Sequence, residues 1–205
     1  MRKQQCYIVG SGEWPQNLKI KKGSFIIAAD GGYDILMSKG IRPHILLGDM
    51  DSIKKIPNNI PLLRFPVRKD DTDISLAIKL CRRLRFNNVV LVGISGSRYD
   101  QFTATLQLMA NASQKGINIS AELPGQRLYA LHNGTLKLNK LKKNKVLSVL
   151  APYSLAKGVD IKNCSYGLTN AVLSNAFPLG VSNLGTGESP IISVREGTLL
   201  IFVEK

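Results

Sequence analysis

The run Ile45-Leu46-Leu47-Gly48-Asp49-Met50-Asp51-Ser52 sets a short apolar segment directly against an acidic turn. A few continuously apolar residues broken by a glycine are the pattern of a strand covered on both faces, as in a parallel sheet flanked by helices. In open α/β sheets ligands bind beyond the carboxyl ends of the strands, which is where Asp49 and Asp51 fall. In extended chain the i, i+2 spacing turns both carboxylates to one side, where they can share a cation. Mg²⁺ takes a few carboxylates and completes its octahedron with water and substrate phosphates. A turn capped by its own Asp side chains is the competing reading of the same residues.

The pattern repeats on either side of this segment. Strands are expected at Cys6–Val9, Phe25–Ala29, Ile45–Leu47, Leu62–Phe65, Val89–Val92 and Ile119–Leu123, with helices at Gly32–Lys39, Thr72–Arg85 and Asp100–Lys115. In the second helix Ile74, Ala77, Ile78, Cys81 and Leu84 recur at helical spacing and give one buried stripe. Residues 1–125 therefore read as a mostly parallel α/β domain. From Gln126 the texture changes to short strand-like runs at Leu128–Leu131, Thr135–Leu138, Val146–Leu150, Val172–Ser174, Ile191–Val194 and Leu199–Val203. His132-Asn133-Gly134 carries the Asn-Gly pair favoured in tight hairpins. Residues 126–205 read as a small all-β second domain, joined through a short junction at Pro124-Gly125.

Three further loops carry candidate chemistry at the same edge of the expected sheet. Lys69-Asp70-Asp71-Thr72-Asp73 opens a helix, where Asp or Thr can cap backbone N–H groups and acids suit the helix dipole. Capping does not require three carboxylates with a lysine beside them, so Asp73 is read as a ligand and Asp70 as the cap. In Gly93-Ile94-Ser95-Gly96-Ser97-Arg98-Tyr99-Asp100-Gln101, small residues let backbone approach a phosphate and Arg98 can fork onto its oxygens. Asp100 is either an N-cap or the group that orients an attacking hydroxyl. Asp30-Gly31-Gly32 permits a tight turn, with Asp30 placed to receive a ribose or substrate hydroxyl. Gly10-Ser11-Gly12 is not completed to a dinucleotide fingerprint, and no phosphate-binding loop ending in Gly-Lys-Ser/Thr occurs.

The chain has 28 basic and 14 acidic residues, a net charge of +14. Nucleic acid, membrane surface or polyanionic small molecules are partners of matching sign. Half of the acids (Asp30, Asp34, Asp49, Asp51, Asp70, Asp71 and Asp73) nevertheless crowd between residues 30 and 73. That crowding points to a cation site rather than a solvated face. The lysine-rich stretch Lys137 to Lys145 reads as a solvated hairpin edge, with nucleic-acid contact as the alternative. Cys6, Cys81 and Cys164 are scattered and form no metal or disulfide pattern, and no signal peptide or membrane span is legible, so a cytoplasmic location is expected. His44 and His132 lie far apart, in no triad or metal spacing.

Taken in order, Ala29-Asp30-Gly31-Gly32, Gly48-Asp49-Met50-Asp51-Ser52, Lys69-Asp70-Asp71-Thr72-Asp73 and Ser97-Arg98-Tyr99-Asp100-Gln101 closely resemble the thiamine pyrophosphokinase family. Gly180-Val181-Ser182-Asn183 and Gly197-Thr198-Leu199-Leu200 look like that family's closing β-domain signature. The resemblance implies an α/β/α catalytic domain followed by a β-sandwich, a homodimer with thiamine near the subunit interface, and transfer of pyrophosphate from ATP to the thiamine hydroxyl. It implies Mg²⁺ held by Asp49, Asp51 and Asp73, and catalysis by Asp73, Asp100 and Arg98. Asp30, Gly31, Gly32, Ser52, Lys69, Gln101, Ser182 and Asn183 are the implied substrate contacts. The rivals are the same transfer to another hydroxymethyl heterocycle such as a pterin, a nucleic-acid-binding module, and a nucleotide-binding regulator without catalysis.

Overall fold

The structure, a computed structural model, describes residues 2–53, 56–68 and 70–205. The chain divides into two compact units, Met1–Leu108 with Gly116–Pro124, and Met109–Lys115 with Gly125–Lys205. Among the described residues six strands build the first: β1 (Arg2–Val9), β2 (Phe25–Ala29), β3 (Ile45–Gly48), β4 (Leu62–Arg64), β5 (Phe86–Val92) and β6 (Asn118–Leu123). They pair in parallel in the order β6-β5-β1-β2-β3-β4. The strands after β1 run outward on one side, and β5 returns to its other side. The order therefore reverses beside β1, the place where a crevice opens at the carboxyl ends of a doubly wound sheet.

Helices α1 (Gly32–Ser38) and α2 (Asp73–Arg83) connect strands of this sheet, and α3 (Tyr99–Gln114) follows β5. Side chains alternate across a strand, so each face presents its own apolar set. Leu36 of α1 packs with Tyr7, Val9, Ile26, Ala28, Leu46, Val90 and Val92. On the opposite face Cys81 of α2 meets Cys6 of β1, Sγ to Sγ at 3.2 Å, both fully buried. The two helices thus cover opposite faces of the sheet. Thr72 caps α2, its Oγ1 accepting from the Ser75 amide at 3.1 Å, while Asp71 binds Lys79 Nζ at 2.6 Å and Ser75 Oγ at 2.8 Å. The expectation that Asp70 caps this helix is thereby corrected. A threonine hydroxyl in extended backbone reaches the third amide of the turn, and Asp70 stays exposed.

The second unit holds β7 (Gln126–Lys137), β8 (Val146–Leu150), β9 (Ala156–Lys162), β10 (Leu168–Leu173), β11 (Gly180–Leu184) and β12 (Ile191–Glu204). The Asn-Gly hairpin is not there. Leu128–Leu131 and Thr135–Leu138 belong to one long strand, β7, which pairs along its length with β12. Asn133 (φ 42°) and Gly197 (φ 116°) sit opposite each other in a matched irregularity, where Asn133 Oδ1 accepts from the Gly197 amide at 2.9 Å. Asparagine supplied the left-handed backbone and the side-chain bond of a bulge rather than of a turn. On its other edge β12 pairs with β9 before the bulge and with β8 after it. One strand thus serves two layers, closed over Leu147, Val149, Val159, Ile161, Ile192, Leu199 and Ile201. Strands β9 and β11 were not anticipated. Among the described residues no helix is long and apolar enough to cross a membrane.

Candidate active site

The loops that leave β1 and β5 are laced together at the point where the strand order reverses. Gly10 N donates to Val92 O at 2.9 Å, Gly12 N to Gly93 O at 2.7 Å, and Glu13 N to Ser95 O at 2.7 Å. Side chains would prevent this. A Cβ on Gly12 would fall 2.2 Å from Ser95 O and one on Gly10 2.7 Å from Gly93 O. The glycines of Gly10-Ser11-Gly12 are therefore required by close backbone approach. As a sequence the segment falls short of a complete dinucleotide fingerprint. The usable signal was its place, directly after the first strand and matched by the glycine loop after β5.

A cleft of about 410 Å³ opens over these loops, at the carboxyl edge of the sheet. Its walls come from the turns after β1, β2, β3 and β5 and the first turns of α2 and α3. Of the residues expected to form a site, Asp30, Asp49, Asp51, Ser52, Asp73, Arg98 and Gln101 line it, together with Ser11, Ser95 and Thr105, which were not expected. Asp30, Asp49 and Asp51 each bring a carboxylate oxygen within 4.8 Å of the others. This grouping differs from the expected set of Asp49, Asp51 and Asp73. β2 and β3 are neighbours, with Ala29 opposite Leu47, and the Asp30 amide donates to Leu47 O at 2.8 Å. Asp30 consequently stands beside the Gly48–Asp51 turn, while Asp73 enters from the start of α2.

The backbone at this cluster is unusual. Asp30 (φ 46°) and Met50 (φ 71°) both occupy the left-handed region, which costs a non-glycine residue roughly 1 kcal/mol or more. Asp30 is 9 % exposed, and its Oδ1 is buried with no hydrogen-bond partner among the described residues. A carboxylate oxygen left so in a crowd of carboxylates is unfavourable unless a cation joins them. The donor set is all oxygen, which suits a hard divalent ion such as Mg²⁺. Asp51 also accepts from Ser52 Oγ at 2.9 Å, and its amide donates to Asp49 Oδ1 at 3.3 Å.

Arg98 and Asp100 form a forked ion pair, Nε to Oδ1 at 3.0 Å and Nη2 to Oδ2 at 2.8 Å, on an exposed surface. The guanidinium, helped by the Gln101 amide, holds the Asp100 carboxyl down to about 2, and the pairing raises Arg98. Asp100 does not line the cleft. Gly31 and Gly32 do not line it either: a Cβ on Gly32 would meet Val9 O at 2.0 Å, so this glycine is needed where α1 starts against β1. Lys69 lies outside the described residues.

With this geometry in place, comparison with known proteins is decisive at one point. The family model described as "Thiamin pyrophosphokinase, catalytic domain" matches residues 17–121, just over half of the chain. The chain belongs to that family. A thiamine pyrophosphokinase of Bacillus subtilis (strain 168) is 24 % identical over 181 residues, covering 85 % of each chain. Among solved structures, thiamine pyrophosphokinase from B. subtilis has a TM-score of 0.86 at 21 % identity, covering 98 % of this chain and 99 % of that one. The Geobacillus thermodenitrificans enzyme gives 0.83 at 21 %, covering 98 % of both. Thiamin pyrophosphokinase from Candida albicans gives 0.77 at 14 %, covering 98 % and 89 %. As a thiamin pyrophosphokinase the chain is an ATP-dependent transferase.

Ser182 and Asn183, expected against the thiamine ring, are held differently in the second unit. Asn183 is buried, and its side chain is committed to the fold. Oδ1 accepts from the Tyr166 and Leu184 amides, each at 2.9 Å, and Nδ2 donates to Tyr166 O at 2.6 Å. Ser182 is exposed at φ 62°, its amide donating to Ser148 Oγ at 3.1 Å. Asn183 thus fixes the loop that presents Tyr166, which is 65 % exposed. Asn183→Ala strands part-buried backbone groups, each costing about 1–3 kcal/mol where no water replaces the amide. It is expected to destabilise the protein by about 2–4 kcal/mol in urea unfolding; an unchanged midpoint would show that water replaces the amide without penalty.

Proposed function

We propose that the cleft of the first unit binds ATP and Mg²⁺ and transfers the terminal pyrophosphoryl group to the hydroxyl of thiamine, releasing AMP. The observation that carries the reading is the carboxylate trio Asp30, Asp49 and Asp51 at one end of a cleft whose other walls are glycine loops and helix N-termini. Backbone N–H groups at such places favour phosphate. Asp30, Asp49 and Asp51 would hold the ion, with Asp73 entering from the start of α2. When bound, Mg²⁺ supplies charge neutralisation to phosphate oxygens.

The chain's own residues position and screen. The Gly10–Gly12 and Gly93–Gly96 loops offer a floor without side chains, letting phosphates approach backbone. Arg98, on the rim, adds fixed positive charge for the group in transfer. Ser11, Ser52 and Ser95 supply hydroxyls, and Ser95 Oγ is buried with no partner among the described residues, a donor kept for a ligand oxygen. Gln101 and Thr105, on the first turns of α3, close that wall.

Asp100, held down by Arg98, is ionised throughout the neutral range and is a weak proton acceptor. Its role in this reading is to orient Arg98 and accept a hydrogen bond from the substrate hydroxyl. Its lowered value contributes stability above the ordinary carboxylate range, lost only as pH falls towards 2. The rate is therefore expected to show no break from Asp100 between about pH 5 and 9.

Tyr166, Phe177, Leu179 and Val181 of the second unit are exposed, and in this reading they and the adjoining Ser182 present a surface to a second copy of the chain and to the thiamine ring. A homodimer is the reading that surface supports, and a cytoplasmic location is proposed with it from the three free cysteines. The test is incubation with ATP, Mg²⁺ and thiamine. Equal AMP and thiamine pyrophosphate, formed only with metal, is the expected outcome. Consumption of ATP with a hydroxymethyl pterin and not with thiamine would replace the acceptor.

A further inference from the structure

The lysine-rich segment that separates β7 from β8 does not line the cleft, and its backbone is not that of a loose charge run. Leu138 and Leu141 are buried in the core of the second unit. Its backbone is tied at many points. Leu138 N donates to Pro190 O at 2.9 Å, Leu141 N to Glu188 O at 2.9 Å, Asn144 N to Gly185 O at 3.0 Å, and Gly187 N and Gly185 N return bonds to Leu141 O and Lys145 O. A Cβ on Gly185 would lie 2.5 Å from Lys142 O, so the segment is closely seated. Its lysines are therefore projected from a fixed frame.

That frame walls a concavity of about 510 Å³ whose far side is β7 and the end of β12. Five cations line it, Arg127, Lys140, Lys142, Lys145 and Lys205, against the single side-chain carboxylate of Glu204. Glu204 is engaged, accepting from Lys145 Nζ at 2.5 Å and from the Val146 amide at 2.9 Å. The floor is apolar, made by Leu138, Leu141 and Val203, and Tyr129 offers a ring with the Arg127 guanidinium 5.9 Å from its centre. Gathering like charges around a hollow disfavours the empty fold, and a polyanion relieves it. A ring, an apolar floor and a cationic rim in one hollow match a planar heterocycle carrying phosphates.

We propose that this hollow in the second unit is a binding site for a nucleoside polyphosphate, separate from the cleft and independent of its metal. The volume is that of a small-molecule site, and its concave form favours a free nucleotide over an RNA strand, which needs an extended basic track. This site does not rest on the transfer reaction.

The experiment titrates the full chain calorimetrically with ATP in excess EDTA, then with inorganic tripolyphosphate and a single-stranded RNA 12-mer. Metal-dependent binding in the cleft is thereby silenced. One equivalent of ATP is expected to bind, at least tenfold weaker in the surface variant K140E/K142E. Tyr129→Leu is expected to weaken ATP several-fold and leave tripolyphosphate unchanged. Both variants should keep wild-type turnover at saturating Mg²⁺, which separates this site from the cleft. No ATP binding in EDTA, or binding untouched by K140E/K142E with folding verified by circular dichroism, would overturn the proposal. RNA binding far tighter than ATP, falling steeply with salt, would overturn it in favour of nucleic acid.

Discussion

Asp51→Asn is expected to lower kcat/KM for pyrophosphoryl transfer by about 10²–10³-fold while leaving the metal-free protein at least as stable as the wild type. The two halves of this result have one cause. Asp30, Asp49 and Asp51 each place a carboxylate oxygen within 4.8 Å of the others. Two unit charges at about this distance repel by roughly 1 kcal/mol even in bulk water. Without a cation the three carboxylates thus repel one another, and neutralising Asp51 removes its share of that repulsion. Asp51 is the member to change because it is exposed, and its bond with Ser52 Oγ can persist with an amide. With Mg²⁺ the order should invert. The wild type gains stability by mass action as metal is added, and the variant gains little. Thermal midpoints measured across an Mg²⁺ titration, beside initial rates, read both effects. Wild-type rates with an unchanged Mg²⁺ titration would refute the carboxylate site. Loss of rate with the metal-induced shift intact would instead move Asp51 from holding the ion to contacting substrate.

The way this trio assembles explains what could and could not be read in the sequence. Asp49 and Asp51 are legible because a strand ends just before them, and local chain direction suffices to turn both carboxylates together. Asp30 is legible as a polar residue after a strand, yet its partners are not. Its neighbour across the sheet is set by the pairing of Ala29 with Leu47, a non-local choice that spacing does not encode. For the same reason the place of Asp73, an acid at a loop–helix junction, relative to Asp30 is not encoded by spacing, although it lines the same cleft.

The first unit's strands are continuously apolar because both faces are covered, so their positions follow from composition alone. The second unit's long strands are interrupted at the bulge, where Asn133, between the pairs Gly134–Val194 and His132–Thr198, faces Arg195-Glu196-Gly197. Asn-Gly is favourable there for the reason it is favourable in a hairpin, left-handed backbone at low cost. Only the register with β12 decides between the two. β9, which reads Ala-Lys-Gly-Val-Asp-Ile-Lys, hides its buried Val159 and Ile161 among charges and a glycine. The family resemblance supplied that part of the architecture, while the residues themselves did not. Nor does spacing show that the Asn183 amide is bonded to the Tyr166 backbone.

Gly12→Ala is expected to reduce both stability and turnover, and its effect on turnover should exceed what its stability loss explains. The added methyl would stand 2.2 Å from Ser95 O and 2.8 Å from Gly93 O. These are backbone atoms of the opposite loop, so no side chain can swing aside. Relief requires the loops after β1 and β5 to part, breaking the bonds from Gly12 N to Gly93 O and from Glu13 N to Ser95 O. Overpacking of this kind costs about 1–3 kcal/mol, which leaves a folded protein under assay conditions. The parted loops form the floor of the cleft, however, and a shift of about 1 Å in groups that position a substrate can cost about 10²-fold in rate. The loss should fall on kcat as well as on KM for ATP, because the floor places the phosphates for transfer as well as binding them. Gly134→Ala is the control. Its nearest contacts would be ordinary, at 3.5 Å and 3.6 Å, and it lies in β7 of the second unit and does not line the cleft. Urea unfolding and steady-state kinetics on both variants separate the effects. If Gly12→Ala loses stability and keeps its rate, the lacing of the two loops is only architecture. If it loses rate in far greater proportion, the approach of these two backbones is what shapes the phosphate site.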